Sequence, residues 1–264
     1  MGPTGMALDT GNGQIYVSIN SSGVVDVVNP RTNSVINSIT VGSYPRGIVY
    51  DPTNGYMYVS NAGAGTVSVI NTNTASLVKT ITLPTQSATP NAVYVPGDIT
   101  YDPQNNVIYV NAVNVNGTSA ISGSTNIVIA NIKSEVIYGA IQYDPANGYV
   151  YVAALYESDH GRLISAGGLA VINPSTNEIT GSVAITTGPV VELIALAYDS
   201  SHQYVYVADF ESGNITAINT SDNIAESFQG RSAIPADPYG VVYDSSTGYI
   251  YVSNYYQGTV TVLC

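Results

Sequence analysis

The 264-residue chain has one cysteine, no tryptophan, two phenylalanines and only six lysines and arginines. With Cys264 as its single thiol, an internal disulfide and a cysteine zinc site are excluded. Charged residues make up 9% of the chain, against about 25% in ordinary soluble domains. Eighteen acids against six bases leave a net charge of -12. That balance removes the counter-ion release that drives nucleic-acid binding and excludes DNA and RNA as partners. No apolar run reaches the roughly 18 residues of a membrane helix. The start, Met1-Gly2-Pro3-Thr4-Gly5, has neither the basic nor the apolar region of a secretory signal, so an exported protein would carry its signal outside this chain. Also missing are His-Glu-x-x-His, Cys-x-x-Cys, an alternating-acid calcium loop, a phosphate-binding glycine loop and a Gly-x-Ser-x-Gly elbow.

What is present is a repeat. A short apolar run ends in Asp, a polar turn follows, and a second run carries Tyr-Val, first as Ala7-Leu8-Asp9 with Ile15-Tyr16-Val17. Further copies end at Asp51, Asp102, Asp144, Asp199 and Asp244, at spacings of 42, 51, 42, 55 and 45 residues. A fixed period of about 40 to 50 residues marks a repeat architecture. Each copy reads as four short strands; in the second they are Gly47 to Tyr50, Tyr56 to Ser60, Thr66 to Ile70 and Leu77 to Leu83. Asp51-Pro52-Thr53-Asn54-Gly55 specifies a tight turn between the first two, because Pro fixes φ, Asp caps and Asn-Gly accepts positive φ. The second and third strands lack inside/outside alternation, as sheets covered on both faces require. No helical period is present.

A four-stranded meander repeated six times predicts an all-β fold, a six-bladed β-propeller of four-stranded antiparallel blades whose last blade is three-stranded, because the sixth copy stops at its third strand. One domain over 1–264 is expected, with repeats at about 1–42, 43–95, 96–138, 139–188, 189–237 and 238–264. The unfinished copy suggests an excerpt from a longer protein. Tyr58-Val59-Ser60-Asn61 and Tyr251-Val252-Ser253-Asn254 resemble the motif of the YVTN-type propeller repeats, common in surface-layer-like proteins of archaea and bacteria. The resemblance runs through the whole chain and implies fold more specifically than activity.

In such a meander the A-B and C-D turns share one face and the B-C turns and D-A links the other. The connections that read as long all belong to the second face: 84–96, 111–125, 153–168, 186–193 and 228–238. Binding concentrates on variable loops of a rigid scaffold. The candidates there are Glu157, Asp159, His160 and Arg162 in one loop; Arg46, Asp98 and Glu192 where their A strands start and a central channel would open; and the aromatic pair Tyr255 and Tyr256. Each has a structural alternative: a solvated loop tip for the first group, carboxylates capping amides for Asp98 and Glu192, and packing between loops for the tyrosines. The repeat tyrosines Tyr16, Tyr58, Tyr109, Tyr151, Tyr206 and Tyr251 are expected to fill space between blades, and the repeat aspartates to cap turns.

The composition and these candidates lead to a non-catalytic extracellular or cell-surface propeller that binds protein or glycan through its insertion face, without cofactor. Sequons at Asn20, Asn116, Asn214 and Asn219 are glycosylation candidates on an exported chain. A surface of Ser, Thr, Asn and Gly with few charges keeps its hydrogen bonds in acid, which suits an acidic habitat. The alternative is a propeller enzyme, lactonase-like hydrolase or lyase, with a divalent cation at the channel mouth held by Asp98, Glu192 and His160. Oxygen and nitrogen atoms of those three converging on one point would favour the enzyme.

Overall fold

A computed structural model describes residues 2–84, 96–112, 117–133, 137–158, 162–185, 193–210, 212–227 and 237–263. The fold is a six-bladed β-propeller of antiparallel blades, five with four strands and the last with three, and no helix occurs among the described residues. The chain divides into two compact units, Met1–Lys133 and Ser134–Cys264, with three sheets each.

In the first unit, sheet 1 is β1 (Pro3–Leu8), β2 (Ile15–Ile19), β3 (Val24–Asn29) and β4 (Ser34–Thr40); sheet 2 is β5 (Pro45–Asp51), β6 (Tyr56–Asn61), β7 (Thr66–Asn71) and β8 (Ser76–Thr82); sheet 3 is β9 (Pro96–Asp102), β10 (Val107–Ala112), β11 (Gly117–Ser122) and β12 (Ile127–Lys133). In the second, sheet 4 is β13 (Ile137–Tyr143), β14 (Val150–Ser158), β15 (Arg162–Asn173) and β16 (Glu178–Ile185); sheet 5 is β17 (Leu193–Asp199), β18 (Tyr204–Asp209), β19 (Asn214–Asn219) and β20 (Ile224–Ser227); sheet 6 is β21 (Pro238–Asp244), β22 (Tyr249–Asn254) and β23 (Thr259–Leu263). Strands pair in chain order within every sheet, which makes each blade a meander.

The motif residues explain why the repeat folds this way. Each repeat Asp accepts backbone amides of its own A-B turn: Asp9 from Gly11 at 2.8 Å, Asp51 from Thr53 at 2.8 Å, Asp102 from Gln104 at 2.9 Å, Asp144 from Ala146 at 2.7 Å, Asp199 from Ser201 at 2.8 Å and Asp244 from Ser246 at 2.9 Å. This is the expected turn capping. Beside each such cap the chain takes positive φ, at Gly13, Gly55, Asn106, Gly148, Gln203 and Gly248. The buried repeat tyrosine reaches across to the C-D turn of the next blade. Tyr58 donates to Asn126 Oδ1 at 2.5 Å, Tyr151 to Asn223 Oδ1 at 2.8 Å, and Tyr16 to the Thr72 carbonyl at 3.4 Å. Burial, then the nearby Asp144 carboxylate, pushes the Tyr151 hydroxyl up to about 12, although the amide of Asn147 opposes the shift. Tyr251 differs, being only half-buried.

Apolar side chains between neighbouring blades of each unit complete the packing. In the first unit Tyr58, Val67 and Val69 of sheet 2 lie against Ile99, Ile108, Val110 and Ile121 of sheet 3. In the second, Tyr151, Leu169 and Val171 of sheet 4 lie against Leu193, Val205 and Ile218 of sheet 5. The outer strands β4 and β8 are exposed except for one inward residue each, Ile39 and Ile81. One-sided burial is what an outermost strand offers, and it leaves the remaining positions open to polar residues.

Two expectations about the connections need correction. Residues 111–125 are not one long B-C loop: β10 runs to Ala112, β11 occupies Gly117–Ser122, and the connection is 113–116. The strand Gly-Thr-Ser-Ala-Ile-Ser holds few β-branched or aromatic residues, so its propensity is weak and its two ladders place it instead. Residues 153–168 are likewise mostly strand. There β14 and β15 pair from Val150↔Ile172 out to Ser158↔Arg162, so the insertion is a protruding hairpin. The connections 85–95, 186–192 and 228–236 lie outside the described residues.

Candidate functional site

The start of every A strand carries a bulge against its B strand: between Pro3 and Gly5, Pro45 and Ile48, Ile137 and Ile141, Leu193 and Ala195, and Pro238 and Gly240, with the shift recorded on the partner strand, between Val110 and Ala112, in sheet 3. A bulge frees backbone groups from the ladder. The serine of Tyr-Val-Ser takes them up: Ser60 Oγ accepts the Gly47 amide at 2.9 Å and donates to the Gly97 carbonyl of the next blade at 2.6 Å. Ser18 does the equivalent, donating to the Arg46 carbonyl at 2.7 Å. The following asparagine locks the B-C turn. Asn61 Nδ2 donates to Thr66 and Ser68, both at 3.0 Å, and Asn254 Nδ2 to Thr259 at 3.1 Å and Thr261 at 3.0 Å.

Arg46 and Asp98 sit on these bulged starts. Arg46 has an exposed side chain, while its carbonyl serves the inter-blade contact. Asp98 is half-buried; its Oδ1 accepts the Ile99 amide at 2.9 Å and its own amide donates to Asn111 Oδ1 at 2.8 Å. One carboxylate oxygen therefore caps backbone, the structural role weighed for it above. A Cβ on Gly47 would stand 3.0 Å from the same oxygen, so the neighbouring A strand approaches Asp98 at a position only glycine fits closely.

Of the remaining candidates, Glu157 and Arg162 lie near the tip of the protruding hairpin, on β14 and β15. Asp159, His160, Glu192 and Asn116 lie outside the described residues. So does the geometry of an Asp98, Glu192 and His160 cation site. Among the described residues no three His, Cys, Asp or Glu side chains gather as metal ligands. Asn20 is buried, with Nδ2 3.4 Å from the Pro45 carbonyl, an unfavourable place for a glycan. Asn214 is exposed and Asn219 half-exposed at the two ends of β19.

Tyr255 and Tyr256 belong to a larger assembly of rings. They occupy the B-C turn of sheet 6, are 60% and 73% exposed, and have centroids 5.1 Å apart at 80°. Tyr239, on the bulged start of β21 and 54% exposed, stands 5.2 Å from Tyr255. Phe210, from the B-C turn of sheet 5, meets Tyr239, Tyr255 and Tyr256 at 6.3, 6.4 and 6.0 Å. These separations are those of offset and edge-to-face pairs, which hold one another in place. Backbone bonds fix the turns beneath: Tyr255 N to Asp237 O at 3.0 Å, Gly258 N to Asn254 O at 3.0 Å and Gly213 N to Asp209 O at 3.0 Å. Ser212 Oγ donates to Asp209 Oδ2 at 2.5 Å and ties down the Phe210 turn. Neither Phe210 nor Tyr239 stood among the sequence candidates. Aligning the repeats would have found them, since Phe210 holds the place of Tyr255 one blade earlier and Tyr239 that of Arg46.

The described residues thus define a β-propeller with a rigid, exposed aromatic cluster on its B-C side. The chain belongs to the family described as Domain of unknown function (DUF5074), which matches residues 4–157, more than half of it. No curated protein matches the sequence. Among solved structures the chain is similar to virginiamycin B lyase from Staphylococcus aureus, at 16% identity and a TM-score of 0.74 over 99% of this chain and 83% of that one. It is also similar to hydrazine synthase from Kuenenia stuttgartiensis, at 14% identity and a TM-score of 0.67 over 99% of this chain and 95% of that one. At such identities the likeness carries the architecture alone.

Proposed function

We propose that this chain is a non-catalytic propeller of a bacterial or archaeal cell surface that binds glycan through the B-C face of sheets 5 and 6. The observation that carries the reading is the cluster of Phe210, Tyr239, Tyr255 and Tyr256, three of whose rings are more than half exposed. Aromatic faces stack on the C–H face of a pyranose, and tyrosine hydroxyls exchange hydrogen bonds with its hydroxyls. A ring already held by its neighbours loses little freedom when a ligand arrives, which favours binding by a small number of contacts. The resemblance of Tyr58–Asn61 and Tyr251–Asn254 to YVTN-type repeats supports the surface location, and the scarcity of charge supports an acidic outside environment. No cofactor is part of this proposal.

Titration calorimetry of neutral oligosaccharides, chosen from a glycan array, tests it. Tyr255→Ala with Tyr256→Ala is expected to weaken binding at least tenfold, while Tyr44→Ala, an exposed tyrosine of the first unit, leaves it unchanged. Absence of any glycan ligand on the array, or equal binding by the double variant, refutes the reading.

A further inference from the structure

Charge is shared unequally along this chain. Met1–Lys133 holds five acids and four bases, whereas Ser134–Cys264 holds thirteen acids, two bases, Arg162 and Arg231, and no lysine. The aromatic cluster belongs to the acidic unit, and two of its rings are tied to one acidic residue. Asp237 stands just ahead of Pro238 and Tyr239 at the start of β21, and its carbonyl accepts the Tyr255 amide at 3.0 Å. Asp237 is half-buried, and its carboxylate has no partner among the described residues. Asp209, just ahead of Phe210, is a second acid, but it is buried and its Oδ2 already accepts the Ser212 hydroxyl. Sheet 2 shows that the turn itself does not require an acid. Tyr44 holds the repeat position of Asp237, at φ 52° against 71°, and its carbonyl accepts the Ala62 amide at 2.9 Å as that of Asp237 accepts Tyr255. Two residues on, sheet 2 has Arg46 where sheet 6 has Tyr239. The same backbone therefore carries an aromatic residue and a cation in one blade, a carboxylate and an aromatic residue in the other. Asparagine would take the left-handed φ of Asp237 without bringing a charge.

We infer that the glycan taken by the aromatic cluster is an amino sugar whose free ammonium pairs with Asp237, an assignment that rests on the glycan reading above. A pyranose lying with its C–H face on a tyrosine ring presents its substituents at the rim of that ring. An ammonium there is attracted by the negative face of a neighbouring ring and by the Asp237 carboxylate together. A neutral sugar in the same place covers the carboxylate, strips its water and leaves it unpaired. A hexuronate adds like-charge repulsion, in a unit whose charge is overwhelmingly negative. Charge complementarity thus selects among sugars that the rings alone would treat alike.

Titration calorimetry of the whole chain tests this with a glucosamine oligosaccharide, its N-acetylated counterpart of equal length and a lysine peptide of equal charge, at about pH 6, where such amines are charged. At low salt the free amine is expected to bind about tenfold tighter than the N-acetylated sugar, and the advantage shrinks as salt rises to about 0.5 M. Asp237→Asn keeps the left-handed turn, so it is expected to melt like the parent and to bind the two sugars equally. No binding of either sugar refutes the glycan reading and this inference together. If the N-acetylated sugar binds as tightly as the free amine, or if the preference survives Asp237→Asn, this inference alone falls and the glycan site stands. A preference in the parent that salt does not diminish overturns it too, whatever the variant does. So does a lysine peptide that binds as tightly as the amino sugar, because charge without a stacked pyranose would then suffice.

Discussion

Replacing Ser60 by alanine isolates the stitch between neighbouring blades. Ser60 is wholly buried; its Oγ satisfies the Gly47 amide at 2.9 Å and the Gly97 carbonyl at 2.6 Å, groups freed by the bulge at the start of β5 and by the start of β9. Alanine fits the space, because Ala153 and Ala208 occupy the same repeat position and are themselves wholly buried. The loss is therefore one of hydrogen bonding, with no cavity to account for. Leaving a buried donor and a buried acceptor unsatisfied costs about 1 to 3 kcal/mol each, so about 2 to 6 kcal/mol is expected for Ser60→Ala. With a urea slope of about 1 to 3 kcal/mol per molar, the unfolding midpoint falls by roughly 1 M or more. Ser253→Ala at the same repeat position supplies the control, since Ser253 is exposed in sheet 6 and its removal is expected to stay within about 0.5 kcal/mol. Urea titrations followed by circular dichroism measure both. Equal midpoints for the two variants refute the stitch as a source of stability.

Two further predictions concern backbone and pH. Gly139→Ala places a Cβ 1.9 Å from the Leu193 carbonyl oxygen at φ +95°, and is expected to cost about 3 kcal/mol or more, lowering Tm by roughly 6 °C or more. Gly181→Ala, with open space around it, is expected to leave Tm unchanged or slightly higher in the same calorimetric scan. At high pH, Tyr50, Tyr151, Tyr198 and Tyr206 are pushed up to about 12, first by burial and then by nearby carboxylates. A raised folded value means that the native state holds the proton more tightly. The tyrosine contribution to stability is then complete below pH 10 and is lost as pH rises through 12, which urea midpoints read against tyrosinate absorbance will show. At low pH the sign reverses: burial raises Asp199, but the His202 side chain at 2.8 Å and the amides of Ser201 and His202 outweigh it and hold the carboxyl below 3.8. Its contribution is present above the ordinary carboxylate value and fades only as pH falls below that, and His202→Ala is expected to move the Asp199 titration upward in an NMR experiment.

Much of the blade was legible because its determinants are local. The Asp of each A-B turn, the glycine or asparagine that ends it, and the β-branched runs between act within a handful of residues, so the strands of the second copy fall within a residue or two of those observed. Sheet 3 misled for the same reason in reverse: Gly117–Ser122 has little propensity of its own and is a strand because β10 and β12 flank it. The protruding hairpin of β14 and β15 likewise depends on cross-strand pairing, which a run of mixed residues does not announce. The aromatic site was half visible. Tyr255 and Tyr256 are adjacent in sequence and read as a pair, whereas Phe210 and Tyr239 reach them only through the packing of sheets 5 and 6.

By itself the sequence determined the repeat, the number of blades, the three-stranded last sheet and the turn chemistry, all of which follow from spacing and from backbone preferences that need no distant partner. Only the tertiary structure decided what the motif letters do. The serine and tyrosine of Tyr-Val-Ser-Asn find their partners on the next blade, Gly97 for Ser60 and Asn126 for Tyr58. Which rings meet likewise depends on contacts between residues far apart in the chain. A hydrogen bond or a buried face exists only when both sides are in place, and the second side lies a whole repeat away.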